Sequence, residues 1–172
     1  LGSGKTRFDV TEVSNAMREI GKATDLTGTE MEKSNKLIGV TKQVLRLMTI
    51  EQVDSAESAK TLIKTMNNFG LSLSEAARVT DVMINVNQSS AITLDELSRS
   101  FGFASSQAKD FGLSVEETGA LLGLLGNRLG QGAGAAGRNL RQLFFGLKNQ
   151  ALKFNPILED MGITLLDTNG NM

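Results

Sequence analysis

Few side chains in this sequence could take part in catalysis or metal binding, and the residue types that it lacks exclude whole classes of site. The 172 residues include no Cys and no His, which excludes a thiol nucleophile, a zinc–thiolate centre and Ser-His-Asp catalysis within this chain. Adjacent carboxylates occur as Glu116 with Glu117 and as Glu159 with Asp160. Neighbouring side chains on a helix point about 100° apart, so neither pair converges on one bond. We predict no catalytic residue, no metal ligand, no cofactor and no enzymatic activity.

The start of the chain contains the letters of a phosphate-binding loop. Gly2-Ser3-Gly4-Lys5-Thr6 ends in the GK[ST] pattern, but the complete motif needs another Gly five residues before the GK glycine, and the chain begins too late to contain one. We therefore interpret residues 1–8 as a flexible lead-in. The chain opens on Leu1 without a Met, so we also interpret it as a piece of a longer protein.

One local charge asymmetry could bind a phosphate or an acidic partner. The net charge is only -1, yet residues 118–158 contain no Asp or Glu. Arg138, Arg141 and Lys148 are predicted to lie on the flank of a helix. These three are our candidate contacts to DNA, lipid phosphate or an acidic protein, although a solvated face is the favoured interpretation because the charges are sparse. The apolar face of that helix is predicted to comprise Leu140, Leu143, Phe144, Leu147 and Ala151.

The elements that position these side chains are organised around a phrase that occurs twice. Residues 69–75 read FGLSLSE, and residues 111–117, which lie 42 positions later, read FGLSVEE. In each copy the Gly can end a helix in the left-handed conformation, and the Ser and Glu can form a capping box for the next helix. This repeated stretch of seven residues therefore predicts a helix junction and no catalytic role. The junction residues are Gly70, Ser72, Glu75, Gly112, Ser114 and Glu117.

Further capping boxes place the other helices. We predict them at Asp9 with Glu12, at Thr27 with Glu30 and at Thr93 with Glu96. The helix after Thr27 falters near Gly39 and could be two short helices. Helical periodicity follows each cap and no long alternating stretch occurs, so the sequence predicts an all-α fold of about seven or eight helices in a single compact domain. The apolar stripes predicted to form its core are Ala59, Leu62, Ile63 and Met66; Val79, Val82, Met83 and Val86; and Leu94, Leu97, Phe101 and Ala104.

The last third of the chain is less regular. Six glycines at intervals of three or four could form a helix interface, a loop or a hinge, and we expect a loop near Gly130–Ala135. Pro156–Met161 is predicted as a separate short helix capped by Gly162. Residues 163–172 read as a strand and a turn, the start of a β-hairpin, so the predicted organisation is lead-in 1–8, helical core domain 9–162 and strand-turn 163–172. The six glycines are Gly119, Gly123, Gly126, Gly130, Gly134 and Gly137.

Five stretches, taken in order, resemble a known family. They are NFGLSLSEAARVTDVM (68–83), SSAITLDELSRSF (89–101), FGLSVEETGALLGLLGN (111–127), AAGRNLRQLFFGL (135–147) and LEDMGITLLDTNGN (158–171). Their order and spacing resemble the core region of the tape measure proteins, or minor tail proteins, of tailed phages and prophages. The resemblance covers most of the chain.

The resemblance implies a non-enzymatic structural virion protein that sets tail length, scaffolds tail assembly and is released ahead of the DNA at infection. It implies a location inside the tail tube of the virion, and in the host cytoplasm during assembly. The implied partners are the tail tube protein, tail assembly chaperones and distal tail tip proteins, with no small-molecule substrate. Self-association and weak contact with DNA or a membrane remain open. The alternative function is a nucleic-acid- or phosphate-binding helical module that uses Arg138, Arg141 and Lys148.

Overall fold

A computed structural model describes residues 9–24, 27–51, 54–129 and 133–161. Seven α-helices and one 3₁₀ turn occur in these ranges, and no residue in them forms a strand. The all-α prediction is confirmed. The lead-in 1–8, Gly162 and the hairpin 163–172 lie outside the described residues. The elements are α1 (Val10–Ala23), α2 (Glu30–Glu51), α3 (Ser55–Phe69), the 3₁₀ turn Leu73–Glu75, α4 (Ala76–Ser89), α5 (Leu94–Asp110), α6 (Val115–Leu129) and α7 (Ala133–Asp160).

The N-terminal caps of the helices follow the sequence with one correction. The boxes at Asp9 and Thr93 form as predicted, since the backbone amide of each donates to the Glu three residues on at 3.1 Å. The predicted Thr27 cap is wrong. Thr29 caps α2 instead, and its amide donates to Glu32 at 2.8 Å. Both threonines stand three residues before a Glu, so the motif alone could not choose; Gly28, at φ 117°, turns the chain directly before Thr29.

The helix α2 is continuous, so the alternative of two short helices is wrong. A Gly in a helix costs about 1 kcal/mol relative to Ala, but Gly39 is followed by Val40, Val44 and Leu47, which are all at most 1% exposed. Burial of such side chains contributes more than the glycine costs. Tertiary packing therefore compensates for Gly39 and keeps the helix continuous.

The chain divides into two compact units, residues Leu1–Ile84 and Asn85–Met172. In the first unit α1, α2 and α3 contact one another pairwise, and the 3₁₀ turn contacts α2. The core predicted for α3 is confirmed. The single domain proposed for residues 9–162 stays a prediction. Buried apolar residues of this unit include Ala16, Ile20, Val40, Val44, Leu47, Ala59, Leu62, Ile63, Met66, Val79, Val82 and Met83.

In the second unit α5 packs against both α6 and α7, and α6 also packs against α7. The core predicted for α5 is confirmed, with Leu97, Phe101 and Ala104 fully buried. The buried apolar residues of this unit include Val86, Ile92, Leu94, Leu97, Phe101, Ala104, Ala108, Val115, Leu122, Ala136, Leu140, Phe144 and Ala151. No helix among the described residues is long and apolar enough to cross a membrane.

Two of the spaced glycines lie where an added Cβ would clash with a neighbour. A Cβ on Gly137 of α7 would lie 2.5 Å from the Cα of Ser100 in α5, closer than real Cβ atoms approach. Gly126 of α6 faces the side chain of Ile92, which lies between α4 and α5 in the chain. The glycine at position 137 lets α7 approach α5 closely. The predicted loop at Gly130–Ala135 is wrong at its end, because α7 already begins at Ala133; residues 130–132 lie outside the described ranges.

The helix α7 also continues where a break was predicted. Pro156 lies inside it, so the separate short helix Pro156–Met161 is wrong. An internal proline removes one backbone hydrogen bond, here the one to the Leu152 carbonyl. Pro156 and Leu152 are both exposed, so water can solvate the carbonyl that the proline frees. The helix therefore tolerates the proline.

Candidate binding surface

The two junctions end the preceding helix with the same backbone geometry. Gly70 and Gly112 take φ values of 66° and 69°, in the left-handed region that favours glycine. The next residue in each copy, Leu71 or Leu113, donates its amide back to the preceding helix at 3.0 and 2.9 Å. Each donor is five residues beyond its acceptor, the hydrogen bond of a Schellman motif. The repeated phrase is thus a stop signal, as its glycine predicts.

The start signals of the junctions are capping boxes with bound carboxylates. The Ser72 amide donates to Glu75 Oε2 at 3.0 Å, and the Ser114 amide donates to Glu117 Oε2 at 2.8 Å. These backbone hydrogen bonds, reinforced by the serine hydroxyls, hold the pKa of both carboxyls below its ordinary value. Glu117 therefore stabilises the start of α6, where its carboxylate accepts hydrogen bonds from the Ser114 amide and hydroxyl.

This geometry predicts an acid-sensitive contribution to stability. Because the folded pKa of Glu75 and Glu117 is depressed, their contribution is present above the ordinary pKa and is lost as pH falls through the folded value. We expect the double variant Glu75→Gln/Glu117→Gln to show a flatter decline of unfolding free energy below about pH 4.5. Urea unfolding at pH 7, 5, 4 and 3 measures it.

The matched control for this prediction is Glu75→Ala/Glu117→Ala. Glutamine can still accept the cap hydrogen bond without titrating, whereas alanine loses both properties. Alanine should therefore lower stability at pH 7 more than glutamine does. A pH profile of the glutamine variant that matches the parent would contradict the assignment.

The predicted phosphate contacts lie on α7, and the structure brings two of them together. Arg138 and Arg141 line one groove of about 510 Å³. The Arg138 guanidinium lies 5.7 Å from the centre of the Phe103 ring, a cation–π contact with α5. The basic groove, as we call it, is lined by Gln107, Arg138, Asn139, Arg141, Gln142 and Phe145.

Lys148 does not line the basic groove. Its Nζ lies 3.0 Å from Asp110 Oδ2, and both side chains are only about one-third exposed. The pair joins α7 to the end of α5, close to the contact between the rings of Phe111 and Phe144 at 5.0 Å. Lys148 is therefore engaged in packing within the second unit, and Arg138 and Arg141 are the cations that the groove presents.

The apolar face of α7 is narrower than predicted. Leu140, Phe144 and Ala151 are buried as expected, but Leu143 and Leu147 are about half exposed. Ala136, Leu140 and Phe144 follow steps of four and Ala151 lies seven residues further on, which is one line along a helix that packs against α5 and α6. Hydrophobicity could not show that Leu143 and Leu147 lie outside that line.

Sequence reasoning missed the partners that shape the basic groove. Gln142 lies four positions beyond Arg138 and Phe145 lies four positions beyond Arg141, so helical spacing could have placed each beside its arginine. Phe103 and Gln107 come from α5 and carry no local signal. No group of three acidic side chains that could hold a metal ion occurs in the described part of the chain.

These features define a class: an all-α protein whose repeated motifs end and start helices, and whose basic groove is lined by two arginines. The comparisons with known proteins agree with that class. The profile of the phage-related minor tail protein family matches residues 1–172. The chain belongs to this family, and its role is that of a structural component of a phage tail, hence of a virion.

Two curated relatives have informative names. The "Tape measure protein" of Pneumococcus phage Dp-1 is 24% identical over 168 residues, which is 98% of this chain. The "Probable tape measure protein" of Escherichia phage P2 is 30% identical over 115 residues, 67% of this chain. The chain spans only 14% of the length of each relative. No solved structure matches the chain significantly.

Proposed function

We propose that this chain is a folded segment of a tape measure protein, which sets the length of the tail and scaffolds its assembly. The observation that carries the proposal is the family match over the whole chain, together with two relatives that are both named as tape measure proteins. The resemblance seen in the sequence alone leads to the same function.

The fold of each unit favours an anchoring task over a measuring one. A continuous helix of 172 residues would span roughly 260 Å at about 1.5 Å per residue. The longest described helix, α7, has 28 residues and spans roughly 42 Å. Helices that pack side by side cover little axial distance. In this proposal, extended helical segments elsewhere in the protein measure the tail, and this segment anchors one end or nucleates assembly.

The proposed setting follows from that role. The segment lies inside the tail tube of the virion and in the host cytoplasm during assembly, and it leaves ahead of the DNA at ejection. Its proposed partners are the tail tube protein, tail assembly chaperones and distal tail tip proteins. The exposed apolar side chains of α2 and α7, among them Ile38 and Phe154, support contacts with other proteins.

Tail length measured by electron microscopy tests the proposal. In-frame deletions in helical segments that flank this one should shorten the tail by about 1.5 Å per residue removed. Deletions within residues 68–125 should abolish tails, because they remove helix junctions and core from both units. Restoring the deleted length with an unrelated helical sequence is the control for the flanking set. Viable deletions that leave tail length unchanged would overturn the tape measure function.

A second candidate function, phosphate binding, is favoured by one observation. The basic groove presents Arg138 and Arg141, and no carboxylate of the described residues lines it. Guanidinium groups bind phosphate with two parallel hydrogen bonds, and Phe145 at 61% exposed offers a ring beside them. DNA or another phosphate-bearing ligand could therefore lie along α7.

We expect Arg138→Gln/Arg141→Gln to weaken DNA binding at low salt and to lower the salt slope of log K by about two, since each lost phosphate contact removes roughly 0.9. Fluorescence anisotropy with a labelled duplex at several salt concentrations measures it. Lys109→Gln/Lys153→Gln changes the net charge equally outside the groove and should leave the slope nearer that of the parent. An absence of binding at low salt would end this candidate.

A further inference from the structure

Beside its two arginines, the basic groove has one aromatic ring and three side-chain amides. A phosphate needs only the arginines, which bind its oxygens. An aromatic ring can stack on the flat face of a nucleobase, and a side-chain amide can both donate to and accept from a base edge. The groove thus offers partner groups for each part of a nucleotide. The ring is that of Phe145, and the amides belong to Gln107, Asn139 and Gln142.

Helical spacing places the ring beside the cations. Arg138, Arg141 and Phe145 are separated by three and four residues, so they lie on one side of α7. Side chains four residues apart on a helix have Cβ atoms about 5–6 Å apart. That separation is comparable to the distance between the phosphate and the base of one nucleotide. A single nucleotide can therefore contact an arginine and the ring at the same time.

Both arginines are available to a ligand. Neither forms an ion pair with a carboxylate of the described residues, whereas Lys148 of the same helix pairs with Asp110. The Phe103 ring of α5 lies 5.7 Å from the Arg138 guanidinium and restricts its position. The side chain of Phe145 is exposed. A ligand can thus reach both cations and the ring without breaking an ion pair within the described part of the protein.

The exposed ring favours an unpaired base over a duplex. In a duplex the faces of each base are covered by its stacked neighbours, and only the base edges are accessible, in the grooves. A side chain can stack only on a base that is not stacked in this way. Gln107 of α5 forms another wall of the groove, so this side of α7 lies beside α5 and does not project as a recognition helix does. The ligand that uses every part of the groove is single-stranded.

We propose that the basic groove binds an unpaired nucleotide of a single-stranded nucleic acid, with its phosphate on Arg138 and Arg141 and its base stacked on Phe145. The inference rests on the phosphate-binding function proposed above and names the ligand of that site. Binding should depend little on sequence, because every base has a face that can stack. It should weaken as salt rises, because the arginines displace cations from the phosphates.

Tryptophan fluorescence tests the stacking directly, because the chain contains no Trp and no Tyr. Phe145→Trp introduces a single indole into the basic groove. Titration with a deoxyadenosine strand of about ten nucleotides should quench its emission, since a base that stacks on the indole quenches it. Phe154→Trp is the matched control, because Phe154 is an exposed ring of the same helix outside the groove. Its emission should stay unchanged.

Affinities are compared for Phe145→Leu and Phe154→Leu by fluorescence anisotropy with the same strand carrying a label. Leucine keeps an apolar side chain but loses the flat ring, so Phe145→Leu should weaken binding about tenfold, a typical loss for one stacked base. Phe154→Leu should bind as the parent does. A duplex or an abasic strand of equal length offers no open base face, so Phe145→Leu should leave its binding unchanged. Arg138→Gln/Arg141→Gln should weaken binding of all three ligands.

The outcomes separate this inference from the functions proposed above. If Phe145→Trp is not quenched, or if Phe145→Leu binds the single strand as tightly as the parent, the stacked base is wrong; continued loss of affinity in the arginine variant then leaves phosphate binding intact. If dAMP binds as tightly as the strand, the ligand is a free nucleotide and the proposal of a strand is overturned. If no nucleic acid binds at low salt, phosphate binding and this inference fail together, and the tail role is unaffected.

Discussion

Gly137→Ala is expected to destabilise the second unit by roughly 2–3 kcal/mol, the cost of overpacking a close helix contact. The added Cβ would lie 2.5 Å from the Ser100 Cα and 2.8 Å from the Ser100 carbonyl oxygen. Both atoms belong to the backbone of α5, so no side-chain rotation can relieve the overlap. The helices must move apart, and the neighbouring buried residues Ala136 and Leu140 lose packing with them.

Gly146→Ala is the matched control for this prediction. Gly146 lies in the same helix, is exposed, and has no heavy atom within 4 Å of the position of an added Cβ. Alanine there should stabilise the helix by about 0.5–1 kcal/mol, because it lowers the backbone entropy of the unfolded chain. Urea unfolding followed by circular dichroism compares the two. If Gly137→Ala is as stable as Gly146→Ala, the close contact between α5 and α7 is wrong.

The parts of the fold that the sequence could predict are the ones that depend on neighbours along the chain. A capping box is complete within four residues, so it predicts a helix start whatever the rest of the molecule does. The boxes of Ser72 with Glu75 and of Thr93 with Glu96 are examples. The left-handed Gly70 ends α3 for an equally local reason. Where two local solutions exist, as for the start of α2, only the folded chain decides between them.

The parts that it could not predict depend on which helix packs against which. Gly39 and Pro156 are both local breakers, yet α2 and α7 continue through them because tertiary burial or solvation compensates for the lost backbone stability. Amphipathic spacing placed Leu143 in the core although only part of its face is covered. The pairing of Lys148 with Asp110 spans 38 residues and leaves no trace in either local sequence.

The candidate site shows the same limit. Arg138 and Arg141 were identified from a run without acidic residues, and helical spacing put them on one side of α7. The sequence could not show what surrounds them, because Phe103, which contacts Arg138, belongs to a different helix. Charge pattern thus located the basic groove but could not say that Lys148 lies outside it.

Phe101→Ala is expected to lower the free energy of unfolding by about 3–5 kcal/mol, the usual cost of removing a fully buried phenyl ring. Phe101 has no exposed surface and lies on the face of α5 that also buries Leu97 and Ala104. Neighbouring side chains can fill such a cavity only in part, so the loss combines transfer of the ring with empty volume.

Phe103→Ala provides the matched comparison, because it removes the same ring from the same helix two residues later. Its ring is 36% exposed and contacts Arg138 from outside the core, so the expected loss is about 1 kcal/mol. Urea unfolding at pH 7 should therefore separate the variants by at least roughly 2 kcal/mol. Equal losses would mean that α5 is rotated from the described orientation. That rotation would also break the contact between Phe103 and Arg138 beside the basic groove, so this pair of variants tests the core and the candidate surface together.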